Sequence, residues 1–301
     1  MRTRMAFVLA LAAVGAVAVL SAQPQLPVQL PTDITAIRHN SGQPVIPYFE
    51  GWIRNPDGTY DLVFGYFNRN FVQEFAIPAG PENRIEPFGP DGGQPTYFLP
   101  RRQRYMFRVK VPADFGKKEL VWSITSNGRT ERAFGNLIGP QEITERVIMT
   151  NGNFDPGLDD PNKPPTISVA PPASASVGAP ATLVASVVDD GLPKPRAAPA
   201  APRPAQPAPP GGFGAQINSS GGGGGVRPLS VTWVQYGGPA KVTLGRAGVI
   251  VVENGQATVN ATFTAPGKYR LLAIATDPGR LATRTFVDVA VSGPPRPSAQ
   301  P

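Results

Sequence analysis

Apolar and polar residues alternate along most of the chain with a period of two. In residues 103–111 four apolar side chains share one predicted face, namely Tyr105, Phe107, Val109 and Val111. Residues 59–68 and 120–124 repeat the alternation. Because successive side chains of a strand point to opposite faces, the pattern predicts strands with one buried and one solvated face. No segment has a sustained helical period, so we expect an all-β protein.

Residues 45–149 contain most of the aromatic residues and around seven short predicted strands. The turn Asn55-Pro56-Asp57-Gly58 joins strands 45–54 and 59–68, since Asp-Gly between apolar runs is a strong hairpin signal. A strand at 72–77, a long Gly- and Pro-rich loop at 78–95, and strands at 97–99, 103–111, 120–124 and 130–137 follow. This spacing predicts an antiparallel β-sandwich.

Residues 150–165 are polar and Pro-rich, and we interpret them as a linker to a second sandwich at 166–292. Strands are predicted at 166–169 and 181–188, and they resume at Leu229. Between them, residues 194–227 alternate Ala and Pro and then repeat Gly, a composition that predicts disorder. A linker between two domains is one interpretation. We prefer a long insertion within one sandwich, because residues 164–191 hold too few strands to form a domain.

A series of short motifs in the second half occurs in a characteristic order. The motifs are Asp189-Asp190-Gly191-Leu192-Pro193, Trp233, Gly238-Pro239, Pro266-Gly267-Lys268-Tyr269 and Asp277. In this order they resemble the PKD-like, immunoglobulin-type modules of bacterial secreted proteins, over residues 165–291. The resemblance implies that Trp233 and Tyr269 are core positions and that the module binds, spaces or presents rather than catalyses. The low-complexity insertion departs from the family pattern.

The start of the chain predicts export. Arg2 and Arg4 precede an uncharged apolar run at 5–20, and small residues follow, so residues 1–22 are predicted to be a signal peptide. An uncleaved membrane anchor is the alternative, although the run is short for one. Residues 23–44 are Pro- and Gln-rich and predicted to be flexible, and residues 293–301 are a predicted disordered tail. We expect a secreted protein, periplasmic or on the cell surface, with no stable transmembrane span after cleavage.

The composition excludes several kinds of chemistry. The chain has no Cys, which excludes disulfides, thiolate metal sites and cysteine nucleophiles, and His39 is its single histidine. The net charge of +7 is spread along the sequence without a nucleic-acid-binding signature, so no nucleic-acid partner is expected. No nucleophile elbow, zinc-protease or phosphate-loop motif is present, and we predict that the protein is not an enzyme.

Calcium is the one cofactor that the sequence suggests, because it binds clustered carboxylate and amide oxygens. The candidate ligands lie at the linker and at predicted strand ends: Asp159, Asp160, Asp189, Asp190 and Asp277, with Asn162 beside them. Ordinary turn chemistry is the alternative for the same residues and the one that the sequence favours, since Asp and Asn are common in turns. No Asp-x-Asp-x-Asp-Gly loop is present.

The loop at 78–95 and the basic run after it are the predicted contact surface. The candidate ligand contacts are Phe88, Tyr97, Phe98, Arg101 and Arg102. The alternatives are that the aromatic rings pack beneath the loop and that the arginines are solvated. We predict a secreted, non-catalytic binding or scaffolding protein whose partner is an unidentified envelope protein or extracellular polymer. An accessory subunit of a periplasmic or cell-envelope assembly is the alternative, and a glycan-active hydrolase with paired carboxylates is the third hypothesis.

Overall fold

The structure, a computed structural model, describes residues 38–153, 160–193, 227–245 and 249–294. The predicted signal peptide, residues 23–37, Asp159, residues 194–226 of the predicted insertion and residues 295–301 of the predicted tail lie outside this part. Within it, all regular elements are strands except a 3₁₀-helix (Gly139–Gln141) and the five-residue helix α1 (Glu145–Met149). The prediction of an all-β protein is therefore confirmed.

The first half contains eight strands in three antiparallel sheets. The strands are β1 (Val45–Arg54), β2 (Tyr60–Asn68), β3 (Phe75–Ala76), β4 (Asn83–Glu86), β5 (Tyr97–Phe98), β6 (Arg101–Val111), β7 (Leu120–Ser126) and β8 (Arg129–Gly135). Strand β2 lies between β1 and β6, β7 lies between β4 and β8, and β3 pairs with β5. Side chains from these sheets meet in one hydrophobic cluster that includes Trp122, whose ring contacts Phe107 edge to face at 4.8 Å.

The β1–β2 hairpin forms at the predicted Asp-Gly turn. Gly58 has a φ of 83°, a left-handed value that glycine adopts without steric cost, and its N–H donates to the Asn55 carbonyl at 3.0 Å. Strand β2 differs from the prediction in being buried on both faces. Leu62 points into the main cluster, whereas Val63 packs on the other side against Ile148 of α1. The helix covers a face that the alternation assigned to solvent.

The predicted loop at 78–95 contains a strand that the sequence pattern did not reveal. Asn83 and Ile85 of β4 pair opposite Ile124 and Trp122 of β7, and both are fully buried. Four residues are too few for an alternation to stand out, so the pattern gave no signal. Conversely, the predicted strand at 72–77 is reduced to the two residues of β3, and β6 begins at Arg101 rather than 103.

The second half consists of two four-stranded antiparallel sheets. Its strands are β9 (Thr166–Val169), β10 (Pro180–Val188), β11 (Ser230–Gly237), β12 (Val242–Leu244), β13 (Val249–Val251), β14 (Gln256–Phe263), β15 (Gly267–Thr276) and β16 (Ala282–Val291). The sheet orders are β12-β14-β10-β9 and β13-β11-β15-β16. Without β13, the sheets follow the ABED and CFG orders of immunoglobulin-like sandwiches, and this half has that fold.

Strands from both sides of residues 194–226 belong to this one sandwich. Strand β10, which precedes the segment, pairs with β14 from Pro180 to Ser186, and β9 pairs with β10. Leu183 of β10 and Trp233 of β11 lie in the same hydrophobic cluster. Trp233 and Tyr269 are buried, as the PKD-like resemblance implied.

The sheet that contains β11 and β15 is buried on both faces. Leu271 packs in the second cluster, while its neighbour Leu272 packs in the first cluster, together with Val234 and Tyr236. The core of the first half thus continues onto the outer face of this sheet. The described residues from His39 onward form one compact unit, so a division into two tandem domains with the predicted boundaries stays a prediction.

Candidate binding surfaces

The aromatic residues predicted at the contact surface lie in different environments. Phe88 is 47% exposed, as a contact residue must be. Phe98 is fully buried and its ring meets that of Tyr66 edge to face at 5.0 Å. Tyr97 is also buried, and its hydroxyl donates to Glu74 Oε2 at 2.6 Å. A buried ring offers no surface to a ligand, so the assignment of Tyr97 and Phe98 to the contact surface is corrected: both pack beneath the loop.

Arg101 and Arg102 lie on a cluster of aromatic rings that we call the aromatic–arginine patch. The Arg101 guanidinium lies 4.0 Å from the ring centroid of Phe71 and 4.7 Å from that of Phe67. The Arg102 guanidinium lies 3.9 Å from the centroid of Tyr48. These distances are within the range of cation–π attraction. Tyr48 and Phe71 are 39% and 38% exposed, so the patch faces solvent.

The pairing of β1, β2 and β6 builds the patch. Arg102 lies opposite Phe67 in the β2–β6 register, and Ile46 lies opposite Phe67 in the β1–β2 register, so Tyr48, two residues further along β1, shares their face. Regular alternation would direct Arg101 to the other face. Its φ of 69° departs from strand geometry, and its guanidinium reaches the Phe67 ring.

Glu50 fixes the position of Arg102 at one side of the patch. Its Oε1 accepts from Arg102 Nη2 at 2.8 Å, and its side chain is mostly buried. Burial raises the pKa of the Glu50 carboxyl, and the charges of Arg102 and Arg104 oppose the rise. Gly65 leaves room for this pair, because a Cβ there would lie 2.4 Å from Glu50 Oε1.

Tyr48, Phe67 and Phe71 were missed in the sequence interpretation. A signal did exist for Phe67, which falls outside the inward-facing set of the predicted strand 59–68 and therefore places an aromatic ring on its solvent side. Nothing in the local sequence indicated that this ring meets Arg101 and Arg102.

The acidic residues predicted as calcium ligands are brought to one end of the second half. Asp277 follows β15 and is almost fully buried, and its Oδ2 accepts from Asn162 Nδ2 at 2.8 Å. Asp190 accepts backbone N–H groups of Lys163 at 3.0 Å and Leu192 at 2.9 Å.

Two other aspartates of this group have turn contacts. Asp160 Oδ1 accepts from the Asn162 N–H at 3.1 Å, and Asp189 Oδ2 accepts from the Gly191 N–H at 3.1 Å. Asp160, Asp189 and Asp190 therefore all have contacts that fit the turn interpretation. Among the described residues, no three or more His, Cys, Asp or Glu side chains group as metal ligands.

A cleft of about 610 Å³ lies between the two halves. Its lining includes Asp91, Gln94, Thr96, Tyr236, Arg270 and Asp288. The Tyr236 hydroxyl donates to the Gly93 carbonyl, and the Thr96 N–H donates to the Tyr236 carbonyl at 3.0 Å. The Asp288 carboxylate accepts two hydrogen bonds from the Arg270 guanidinium, at 2.7 and 2.8 Å, and so balances the positive charge of Arg270. These contacts join the halves at the base of the cleft.

Comparisons with known proteins give only distant similarities. No family model matches the chain, and no curated protein matches it. A conjugative transposon lipoprotein from Bacteroides eggerthii is 11% identical with a TM-score of 0.25, covering 42% of this chain and 96% of its own. The D00-D0 domain of intimin is 12% identical with a TM-score of 0.24, and the match covers 82% of this chain and 100% of that domain. The Yersinia pseudotuberculosis adhesin InvE is 11% identical with a TM-score of 0.22, and the match covers 82% of this chain and 58% of the adhesin. Similarity this low carries no inference about function.

The helices in the described part of the chain are too short to span a membrane.

Proposed function

We propose that the protein is a secreted, non-catalytic binding or scaffolding protein that presents β-sandwich surfaces to a protein or polymer partner, in the periplasm or on the cell surface. The aromatic–arginine patch is the observation that carries this proposal. Tyr, Phe and Arg are enriched in protein interfaces, and truncation of Tyr and Arg there often costs the most affinity. The patch offers both kinds of side chain on one exposed sheet face.

The arginines of the patch are held in place before any partner binds. Arg102 lies over the Tyr48 ring and is hydrogen-bonded to Glu50, and Arg101 lies within cation–π distance of Phe67 and Phe71. Side chains that are already ordered lose little conformational freedom on binding, and this favours affinity. A guanidinium group can stack on a ring through its planar face while its N–H groups donate in the plane to carboxylate or carbonyl oxygens.

The predicted leader and the absence of Cys support an exported protein without disulfides. We also propose that the second half is a PKD-like module in tandem with the first sandwich. In this arrangement the second half supports the first, because its outer sheet face packs against the first cluster through Tyr236 and Leu272. The patch residues lie on β1, β2 and β6, except Phe71, which follows β2, and Tyr48 and Phe71 are left exposed.

The test is a binding screen of the exported protein against envelope extracts and a glycan array, repeated with Phe71→Ser and Arg101→Ser. Each variant is expected to weaken binding about ten-fold or more, as truncation of an interface anchor does. The matched control is Phe134→Ser, because Phe134 is a 51% exposed ring on β8, which carries none of the patch residues. Unchanged binding in both patch variants, with native melting temperatures, would refute the assignment.

Two further outcomes separate the alternatives. If deletion of residues 194–226 abolishes capture of envelope partners while the patch variants retain it, the accessory-subunit function is favoured. If the protein hydrolyses any glycan of the array, the non-catalytic assignment is wrong.

A further inference from the structure

Three oxygen-bearing side chains from distant parts of the sequence meet where β10 and β15 end. We call Asn162, Asp189 and Asp277 the Asp277 cluster. Asn162 Nδ2 donates to Asp277 Oδ2 at 2.8 Å across 115 positions of sequence. The negative charge of Asp189 is close enough to raise the pKa of Asp277. The Lys163 N–H, one residue after Asn162, donates to Asp190 at 3.0 Å and fixes the junction segment to the end of β10.

Two oxygens of the cluster are buried without a partner. Asn162 is only 4% exposed, yet its Oδ1 accepts no hydrogen bond in the described structure. Asp189 Oδ1 is likewise buried and unpartnered. A buried polar atom without a partner costs about 1–3 kcal/mol, so native proteins normally satisfy such atoms. The lone pairs of these two oxygens therefore have no positively charged partner, such as a hydrogen-bond donor or a cation.

The charges of the cluster are also unbalanced. Among the ion pairs between described residues, none involves Asp189 or Asp277. Asp277 is nearly fully buried. A buried carboxylate with a second carboxylate nearby is stable when a positive charge compensates it.

We propose that the Asp277 cluster is a calcium site, with Asn162 Oδ1, Asp189 Oδ1 and the Asp277 carboxylate as its protein ligands. Calcium takes six to eight oxygen ligands and accepts carboxylate, amide, carbonyl and water oxygens together, so water or backbone oxygens complete the shell. Asp160 and Asp190, which the sequence also suggested, have no buried oxygen without a partner and serve as turn residues. The ion ties the junction segment 160–163 to the ends of β10 and β15 and stiffens the connection between the two halves.

Gly279 shows how closely the chain is packed around the cluster. A Cβ at this position would lie 2.4 Å from Asn162 Nδ2 and 2.9 Å from Pro193 Cδ. The loop after β15 therefore passes directly over the amide of Asn162, whose Oδ1 is buried. This enclosure suits an ion that is partly shielded from water.

The test is calorimetric titration of the exported protein with CaCl₂, together with its melting temperature in calcium, in magnesium and in chelator. Extracellular calcium modules bind with a Kd of roughly 10⁻⁴–10⁻³ M, so titration to about 10 mM is sufficient. Calcium at ten times Kd is expected to favour the folded state about 11-fold and to raise the melting temperature. No calcium-dependent heat and equal melting temperatures in calcium and chelator would overturn the proposal.

Three variants distinguish a ligand from a merely structural aspartate. Asp277→Asn and Asp189→Asn are expected to lose the calcium response. Their melting temperatures in chelator are measured as well, because Asp277 also accepts from Asn162 Nδ2 and the Leu281 N–H and the loss of such a bond acts with or without calcium. The matched control, Asp288→Asn, alters an exposed aspartate paired with Arg270 and is expected to respond like the wild type. A wild-type calcium response in Asp277→Asn would overturn the site, as would an equal shift with magnesium.

Discussion

Replacing Asn83 by alanine tests whether one buried amide holds the loop of residues 78–95 in place. Asn83 is fully buried on β4. Its Nδ2 donates to the Ile77 carbonyl at 3.0 Å and to the Pro95 carbonyl at 2.9 Å, which lie at the two ends of the loop. Its Oδ1 accepts from Trp122 Nε1 at 2.9 Å. The substitution Asn83→Ala removes these three bonds at once and leaves each partner buried.

The expected loss of stability follows from these contacts. Each buried group that loses its partner costs about 1–3 kcal/mol. Taking the lower half of that range for three groups gives a loss of roughly 3–6 kcal/mol. This is a large share of the 5–15 kcal/mol typical of native proteins.

Guanidinium chloride unfolding, followed by tryptophan fluorescence, measures this loss from the midpoint and the slope. The matched control is Asn136→Ala, because the Asn136 amide is exposed and donates to Glu119 Oε1 at 3.2 Å. The control is expected to change the free energy of unfolding by less than about 0.5 kcal/mol. If Asn83→Ala lowers it by less than about 1 kcal/mol at an unchanged slope, the inference that Asn83 anchors the loop is refuted.

Two further predictions concern the β1–β2 turn and the junction of the halves. The Asp57 pKa is lowered from 3.8 to about 2, first because its carboxylate accepts from the Thr59 hydroxyl at 2.5 Å. The folded state therefore favours the ionised form, so Asp57→Asn should lower the melting temperature above pH 4, and this difference should vanish as the pH falls below 2. A difference that persists in acid would contradict the assignment. Leu272→Ala should speed amide exchange in both β6 and β15, whereas Leu271→Ala should speed it in the second half alone, each at a cost of about 2–5 kcal/mol. Identical exchange patterns would show that the two leucines do not face different cores.

Local sequence patterns predicted much of the fold. The alternation in residues 103–111 and the Asp-Gly turn before residue 59 predicted a strand and a hairpin that the structure contains. The order of short motifs from Asp189 to Asp277 predicted an immunoglobulin-like sandwich and the burial of Trp233 and Tyr269. These features depend on a period of two and on turn residues, both of which are properties of neighbouring positions.

The predicted contact residues show that local sequence patterns did not predict which aromatic side chains are buried. Phe88 and Phe98 are both aromatic residues near Gly- and Pro-rich sequence, yet one is exposed and the other fully buried. Phe98 lies on β5, whose pairing with β3 and contact with Tyr66 place its ring in the core, whereas Phe88 lies in the loop after β4. A two-residue strand is too short for an alternation that could have indicated this pairing.

By itself, the sequence determined the strand class, the hairpin, the immunoglobulin-like half and the candidate calcium ligands, because periodicity and turn chemistry act over a few residues. Only the tertiary structure decided which distant residues meet. Arg102 reaches Tyr48 through the β2–β6 and β1–β2 registers, and Asn162 reaches Asp277 across 115 positions of sequence. Such contacts are set by the packing of whole sheets, which depends on all their side chains together and leaves no short pattern in the chain.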